Sequence, residues 1–354
     1  MDITPYKGGA ADAPGVDNVI RLASNESALG PSPNAIEAYK ALASALHRYP
    51  DGEARLLREA IGRRHGLDPE QIVCGSGSDE LISLLITAFA GPGEEVLYSE
   101  HGFLMYRISA MAAGATPVAA PETDLRADVD KLLAAVTSRT RIVFIANPNN
   151  PTGTYLTTSE VKRLHDGLPG DVILAIDAAY AEFATAADYS AGQPLVAAHD
   201  NVVMLRTFSK IYGLSALRVG WCFAPPMIVD ALNRVRGPFN INAAAQAAAV
   251  AAVEDTEFEA TARAHNDKWL PWLAGELAGL GLPTVPSAGN FLIADFGTAT
   301  RADAAFSFLN DQGILVRAVG GYGLPQYLRI AIGRDDENKA LVAALTAFIA
   351  TSAS

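Results

Sequence analysis

Residues 202–224, VVMLRTFSKIYGLSALRVGWCFA, hold two apolar runs separated by a polar stretch, and a lysine stands where the first run gives out. A short, unbroken apolar run bounded by turn-forming residues reads as a strand buried on both faces. The same signature recurs upstream in QIVCG, ending at Gly75, in EEVLYSE around Val96, in RIVFIAN up to Asn147, and in VILAID up to Asp177. Helix-period segments lie between these runs. SGSDELISLLITAF places Asp79 and Glu80 in a first helical turn ahead of a dense apolar face. TTSEVKRLHDGL carries a capping-box pattern from Thr157 to Glu160, with Val161, Leu164 and Leu168 on one face. Strand, helix, strand as the repeating unit predicts an α/β protein with a mostly parallel sheet sandwiched by helices.

After Asp255 the rhythm changes. A long segment, Glu257 to Leu280, leads through GLGLPTVPSAG into a shorter set of strands and helices, which predicts a smaller α+β domain and a boundary near Ala260 to Asp267. The chain has 354 residues, 50% of them apolar and 19% charged, enough for a large core and inconsistent with general disorder. Its net charge of −12, with no basic cluster interleaved with aromatics, argues against a nucleic-acid partner. Cys74 and Cys222 each sit in or beside an apolar run and read as buried free thiols of a reducing compartment. The start, MDITPYKGGAADAPG, lacks the basic end and apolar stretch of a signal peptide, so a cytoplasmic location is expected. INAAAQAAAVAAV, Ile241 to Val253, falls short of the roughly 20 residues of a membrane span and reads as a packed interior helix.

In an open parallel sheet, ligands bind beyond the carboxyl ends of the strands. Three runs finish in polar groups there: Asn147 to Gly153 (NPNNPTG), Asp177 to Tyr180, and Thr207 to Lys210. Singly they could be a turn, a helix cap and a solvated lysine. Together, with Arg218 eight residues beyond Lys210, they predict one shared crevice. A lysine at the floor of a cleft loses hydration, which lowers its pKa and frees the neutral amine to form a Schiff base with a carbonyl. A buried aspartate such as Asp177 needs a cationic partner, and a protonated pyridine nitrogen suits it. The helix opened by GSGSDE offers unpaired N–H groups to a phosphate, with Ser209 and Arg218 beside it. The four groups together describe pyridoxal phosphate. A nicotinamide-binding reading of the same turn fails because Glu80 stands where the third glycine of G-x-G-x-x-G belongs. No phosphate-binding GxxxxGK[ST], no G-x-S-x-G and no histidine or cysteine set at metal-ligand spacing occurs, so no metal is expected. The six histidines are scattered, and His101, beside Phe103, is the one worth testing.

With these residues in view, the sequence resembles the fold type I pyridoxal-phosphate aminotransferases, and within them the histidinol-phosphate aminotransferases. The resemblance runs from LASNESALGPSP (Leu22 to Pro33) through HRYPDG, GSGSDE, NPNNPTG, DAAYAEF and TFSKIYGLSALRVG to GNFLI and GYGLPQYLRIAIG (Gly321 to Gly333). It implies a large cofactor domain over 30–262 and a small domain formed by the arm 1–29 with 263–354. It further implies that Lys210 anchors the cofactor, Asp177 pairs with the ring nitrogen, Asn150 and Tyr180 bond the ring hydroxyl oxygen, and Phe103 lies against the ring. The phosphate would be held by Ser78, Asp79, Thr207, Ser209 and Arg218, with Tyr49 reaching in from the second subunit of a homodimer. Arg329 would grip the substrate anion, helped by Arg317, with Asn25, Asn290 and Tyr6 in the substrate pocket. The implied substrates are a small amino donor, histidinol phosphate first, and the 2-oxo acid acceptor 2-oxoglutarate. An aromatic amino acid or phenylpyruvate aminotransferase shares these residues and is the alternative; a phosphothreonine decarboxylase is more remote. A cofactor-sensing transcription regulator would need an appended basic domain for which the chain has no room. Two departures from the family pattern are NESALG in place of NENPxG at Asn25 to Gly30, and Pro271 where an uninterrupted helix is expected.

Overall fold

The structure, a computed structural model, describes residues 3–6, 8–9, 12 and 18–352. Parts of the expected N-terminal arm, residues 1–2, 7, 10–11 and 13–17, lie outside the described residues. Twelve strands occur among those described: β1 (Ile20–Arg21), β2 (Ile72–Gly75), β3 (Glu95–Ser99), β4 (Thr116–Ala120), β5 (Thr140–Ala146), β6 (Ile173–Asp177), β7 (Val202–Thr207), β8 (Gly220–Phe223), β9 (Phe291–Asp295), β10 (Ile314–Leu315), β11 (Arg317–Ala318) and β12 (Tyr327–Ala331). Seven of them form the main sheet in the order β2-β8-β7-β6-β5-β3-β4. Every pairing in it is parallel except those of β8 with β2 and β7.

The continuous apolar runs now have a reason. Along each strand, alternate side chains enter two different cores: Val202 and Met204 of β7 join one, and Val203 and Leu205 join the other, on the opposite face. The two cysteines follow the same rule, Cys74 in one core and Cys222 in the other, and both are buried and free. Helices cover the two faces. One of them, Thr158–Gly167, starts with the expected capping box, Thr157 accepting from the Glu160 N–H while the Glu160 carboxylate accepts from the Thr157 N–H.

A three-stranded antiparallel sheet, β11-β12-β9, packs over a separate core that includes Leu292, Leu328, Ile330, Leu341 and Leu345. The chain's beginning joins this part: β1 pairs with β10, and Leu22 bonds the backbone of both Leu315 and Ala331. The expected boundary at 260–267 falls inside one helix, Thr256–Gly279, with Ala262 in a main-sheet core and Trp269, Leu273 and Leu277 in the other. That helix also continues through Pro271, where buried Trp269 and Leu273 flank the missing N–H. β4 was not among the expected strands; it is the sheet's edge, where TPVAA needs no strong apolar pattern and its proline is tolerated. Among the described residues no helix is long and apolar enough to cross a membrane.

Candidate active site

Register brings the strand ends level. Ala146 of β5 pairs with Asp177 of β6, Asp177 with Leu205 of β7, and Thr207 with Gly220 of the reversed β8. The polar residues after β5, β6 and β7 therefore open into one cavity of about 270 Å³. Every residue expected at the site lines it except Tyr49, Asn290 and Arg317.

At one end the helix Ser78–Phe89 points its amino terminus into the cavity. Its N-cap, Gly77, has φ +84° and supplies no capping side chain, so the first-turn N–H groups keep no protein acceptor from that position. A Cβ on Gly77 would come within 2.5 Å of the Arg218 guanidinium. Arg218 itself donates to Ser209 Oγ at 3.2 Å and pairs with Asp79 at 3.1 Å. Thr207 Oγ1 accepts the Ser209 N–H at 3.1 Å, which leaves its own proton to give. The result is an electropositive cradle of N–H groups, hydroxyls and a guanidinium.

On the floor, Asp177 is buried and accepts from the Tyr106 hydroxyl at 2.8 Å. Burial pushes its carboxyl up to about 6 even though the Tyr106 hydrogen bond opposes the rise. Burial has the opposite effect on the Lys210 amine, which with the nearby Arg329 charge it brings down to about 8. Lys210 Nζ donates to the Ser24 carbonyl at 3.1 Å. Phe103 and Tyr6 meet edge to face with centroids 6.1 Å apart.

At the other end, buried Arg329 donates to Asn150 Oδ1 and, at 2.7 Å, to the Ala23 carbonyl, while its Nε has no partner among the described residues. With Oδ1 so engaged, Asn150 has its NH2 group left to donate. Tyr180 Oη accepts from Asn25 Nδ2 at 3.0 Å, and Asn25 Oδ1 is buried without a partner among the described residues. Asn25 and Arg218 both hold φ +53°, uncommon for residues with side chains and typical of functional loops.

Residues 17–345 match the family Aminotransferase class I and II. The chain belongs to that family. It is 58% identical over 351 residues, 99% of this chain and 97% of the relative, to a histidinol-phosphate aminotransferase of Paramagnetospirillum magneticum. A histidinol-phosphate aminotransferase of Rhodospirillum centenum is 57% identical over 98% of this chain and 96% of its own. Among solved structures, histidinol-phosphate aminotransferase from Sinorhizobium meliloti in complex with pyridoxal-5'-phosphate superposes with a TM-score of 0.90 at 31% identity, covering 94% of this chain and 91% of that one. The fold type I architecture expected from the sequence is the one found.

Three of the expected residues stand elsewhere in this aminotransferase chain. Asn290 does not line the cavity; its amide donates to the Asn25 and Glu26 carbonyls, at 3.1 Å each, and so holds the segment that does. Arg317 lies behind Tyr6, its guanidinium 5.8 Å from that ring, and stands directly across from Arg329 in the β11–β12 pair. Tyr49 is remote, 82% exposed and stacked on Phe239. His101 reaches the Tyr322 carbonyl with Nδ1 at 2.7 Å and is a link between the two parts of the chain rather than a cavity group. The site also uses atoms that residue-type reasoning passed over. Five consecutive carbonyls, Leu22 to Glu26, accept in turn from Ala331 N, Arg329, Lys210, and twice from Asn290. Backbone oxygens give no sequence signal.

Proposed function

We propose that the chain is a pyridoxal-phosphate-dependent histidinol-phosphate aminotransferase, passing the amino group of histidinol phosphate to 2-oxoglutarate. The carrying observation is a half-buried lysine brought down to about 8 and a buried aspartate raised to about 6 in one cavity with an uncapped helix terminus. Relatives of that name at 53–58% identity over nearly the whole chain support the substrate.

The donor set suits the cofactor group by group. Asp177 lacks the firm cationic partner that a protonated ring nitrogen provides. Ser78 and Asp79 N–H groups, Thr207, Ser209 and Arg218 suit the phosphate; the Asn150 amide and Tyr180 hydroxyl suit the ring oxygen; Phe103 suits the ring face. Pyridoxal phosphate, when bound, supplies an aldehyde for the amino group and a ring that takes up negative charge from the substrate α-carbon. Lys210 would anchor that aldehyde until the substrate amine displaces it, and its freed amine, neutral in a far larger share near pH 7.5 than an ordinary lysine, would then take the proton from the α-carbon. Asp177 would keep the ring nitrogen protonated. Burial keeps water from competing for these groups.

Both substrates carry an anion, a phosphate in the donor and a carboxylate in the acceptor. Arg317 and Arg329 stand opposite each other in the β11–β12 pair, so an anion held by one guanidinium also lies in the field of the other. Guanidinium forks match phosphate and carboxylate alike, so Arg329, with Arg317 behind Tyr6, serves both half-reactions in one place. Tyr6 and Asn25 close the substrate end, and Asn290 positions Asn25. With 2-oxoglutarate as acceptor, kcat/KM for histidinol phosphate is expected to exceed that for phenylalanine by ~10-fold or more, the worth of at least one charge-assisted hydrogen bond. A preference for phenylalanine would instead identify an aromatic aminotransferase.

Tyr49, exposed beside exposed Leu46 and Phe239, fits a homodimer in which it completes the partner's phosphate cradle. Such an enzyme acts on small molecules in the reducing cytoplasm that its two free thiols suit. Mixing Tyr49→Ala and Lys210→Ala subunits is expected to regenerate one intact site per mixed dimer, seen as transamination above that of either variant alone. A mixture no more active than its parents excludes the crossed arrangement.

A further inference from the structure

Tyr106 is wholly buried in the helix Leu104–Ala112. Its surroundings are specific. The hydroxyl donates to Asp177 Oδ2 at 2.8 Å. Its ring stacks on Phe144 of β5, centroids 4.7 Å apart and 13° from parallel, and meets the Phe103 ring edge-on at 6.0 Å and 89°. The other Asp177 oxygen takes the Ala179 N–H at 3.3 Å.

We propose that Tyr106 is a positioning residue for the cofactor ring, its hydroxyl orienting Asp177 while its ring braces Phe103. One side chain thereby sets both the group that meets the ring nitrogen and the group that covers the ring face. The inference rests on the function proposed above. Stacking on Phe144 fixes the ring, so the hydroxyl is pre-aimed and Asp177 need not search for its rotamer. The phenol stays a donor at every physiological pH, because burial and the Asp177 charge push its pKa well above the ordinary tyrosine value. Asp177 is faced by Tyr106 from this helix, Asp79 from the helix Ser78–Phe89, Lys210 beyond β7, and Tyr180 and Tyr189 from the segment after β6. Asp79 disfavours its ionised form; Tyr106 and Lys210 favour it, Tyr106 the more strongly.

Tyr106→Phe keeps both ring contacts and removes only the donor. The measurement is the dissociation constant of pyridoxal phosphate from full-length protein between pH 5 and 8.5, followed by the visible absorbance of the bound cofactor. Wild-type affinity is expected to fall as the pH drops through about 6, where Asp177 takes up its proton. In Tyr106→Phe the constant is expected to rise about tenfold to a hundredfold at pH 7, with the fall in affinity beginning about one pH unit or more higher. In an Asp177→Asn background the same substitution is expected to change the constant less than about threefold, since the hydroxyl acts through the carboxylate. An unmoved pH dependence overturns the inference, even with a lowered melting temperature, which would show a packing role alone. So does an equal loss with and without Asp177. Wild-type protein that takes up no pyridoxal phosphate overturns the proposed function as well, whereas wild-type uptake with an unaltered Tyr106→Phe overturns this inference alone.

Discussion

Lys210→Ala is expected to lower transamination by about 10⁴-fold or more while the protein still takes up pyridoxal phosphate. Proton transfer by a positioned base is worth roughly 10² to 10⁴ in rate, and the covalent anchor adds to it. Alanine supplies neither. The cradle at Ser78, Ser209 and Arg218 and the carboxylate of Asp177 are untouched by the change, so non-covalent binding survives. The substitution also removes a half-buried cation whose amine is costly to charge, so the variant should fold at least as well as the parent. Single-turnover mixing with histidinol phosphate gives the rate, and small primary amines added to the solution should restore part of it. A residual rate within about tenfold of wild type would reject Lys210 as the proton carrier.

Arg329→Ala is expected to impair both half-reactions. Truncating one partner of a buried, hydrogen-bonded charge pair costs about 2 to 5 kcal/mol, which is roughly thirtyfold to several thousandfold in kcat/KM. The guanidinium also donates to Ala23 and Asn150, so its loss loosens the cavity wall as well as the anion grip. Arg329→Lys separates the two effects: it keeps a charge and loses the fork, and should recover only part of the rate. The half-reactions are measured separately, with histidinol phosphate on the pyridoxal form and 2-oxoglutarate on the aminated form. Loss confined to one of them contradicts a shared anion site.

Much of this was readable in the residues themselves. The main-sheet strands other than the edge strand β4 announced themselves because both faces of the sheet are buried, which leaves unbroken apolar runs, and Lys210, Asp177 and Asn150 followed directly at their ends. Thr157 and Glu160 marked a helix start because capping is local chemistry between residues three apart. What stayed hidden was set by tertiary context. Tyr106 looks like any aromatic on a buried helical face, and only the fold brings its hydroxyl to Asp177, 71 residues away. That one helix, Thr256–Gly279, carries residues 260–267 and contributes to both cores was likewise a tertiary fact. Tyr49 matches a family motif, yet lies outside its own chain's cavity, and only the homodimer proposed above would give it a part in the site.

The run of clasped carbonyls from Leu22 to Glu26 makes this part of the enzyme a ruler rather than a code. A main-chain oxygen is the same whichever residue carries it, so exchanging Ser24 for another small amino acid leaves Lys210 its acceptor. Deleting Ser24 is different: removing about 3.5 Å of chain slides every later oxygen past its donor. Diversity in lettering with strict conservation of spacing is thus what this strap should tolerate under selection, and library design at this site should vary identity while keeping length constant.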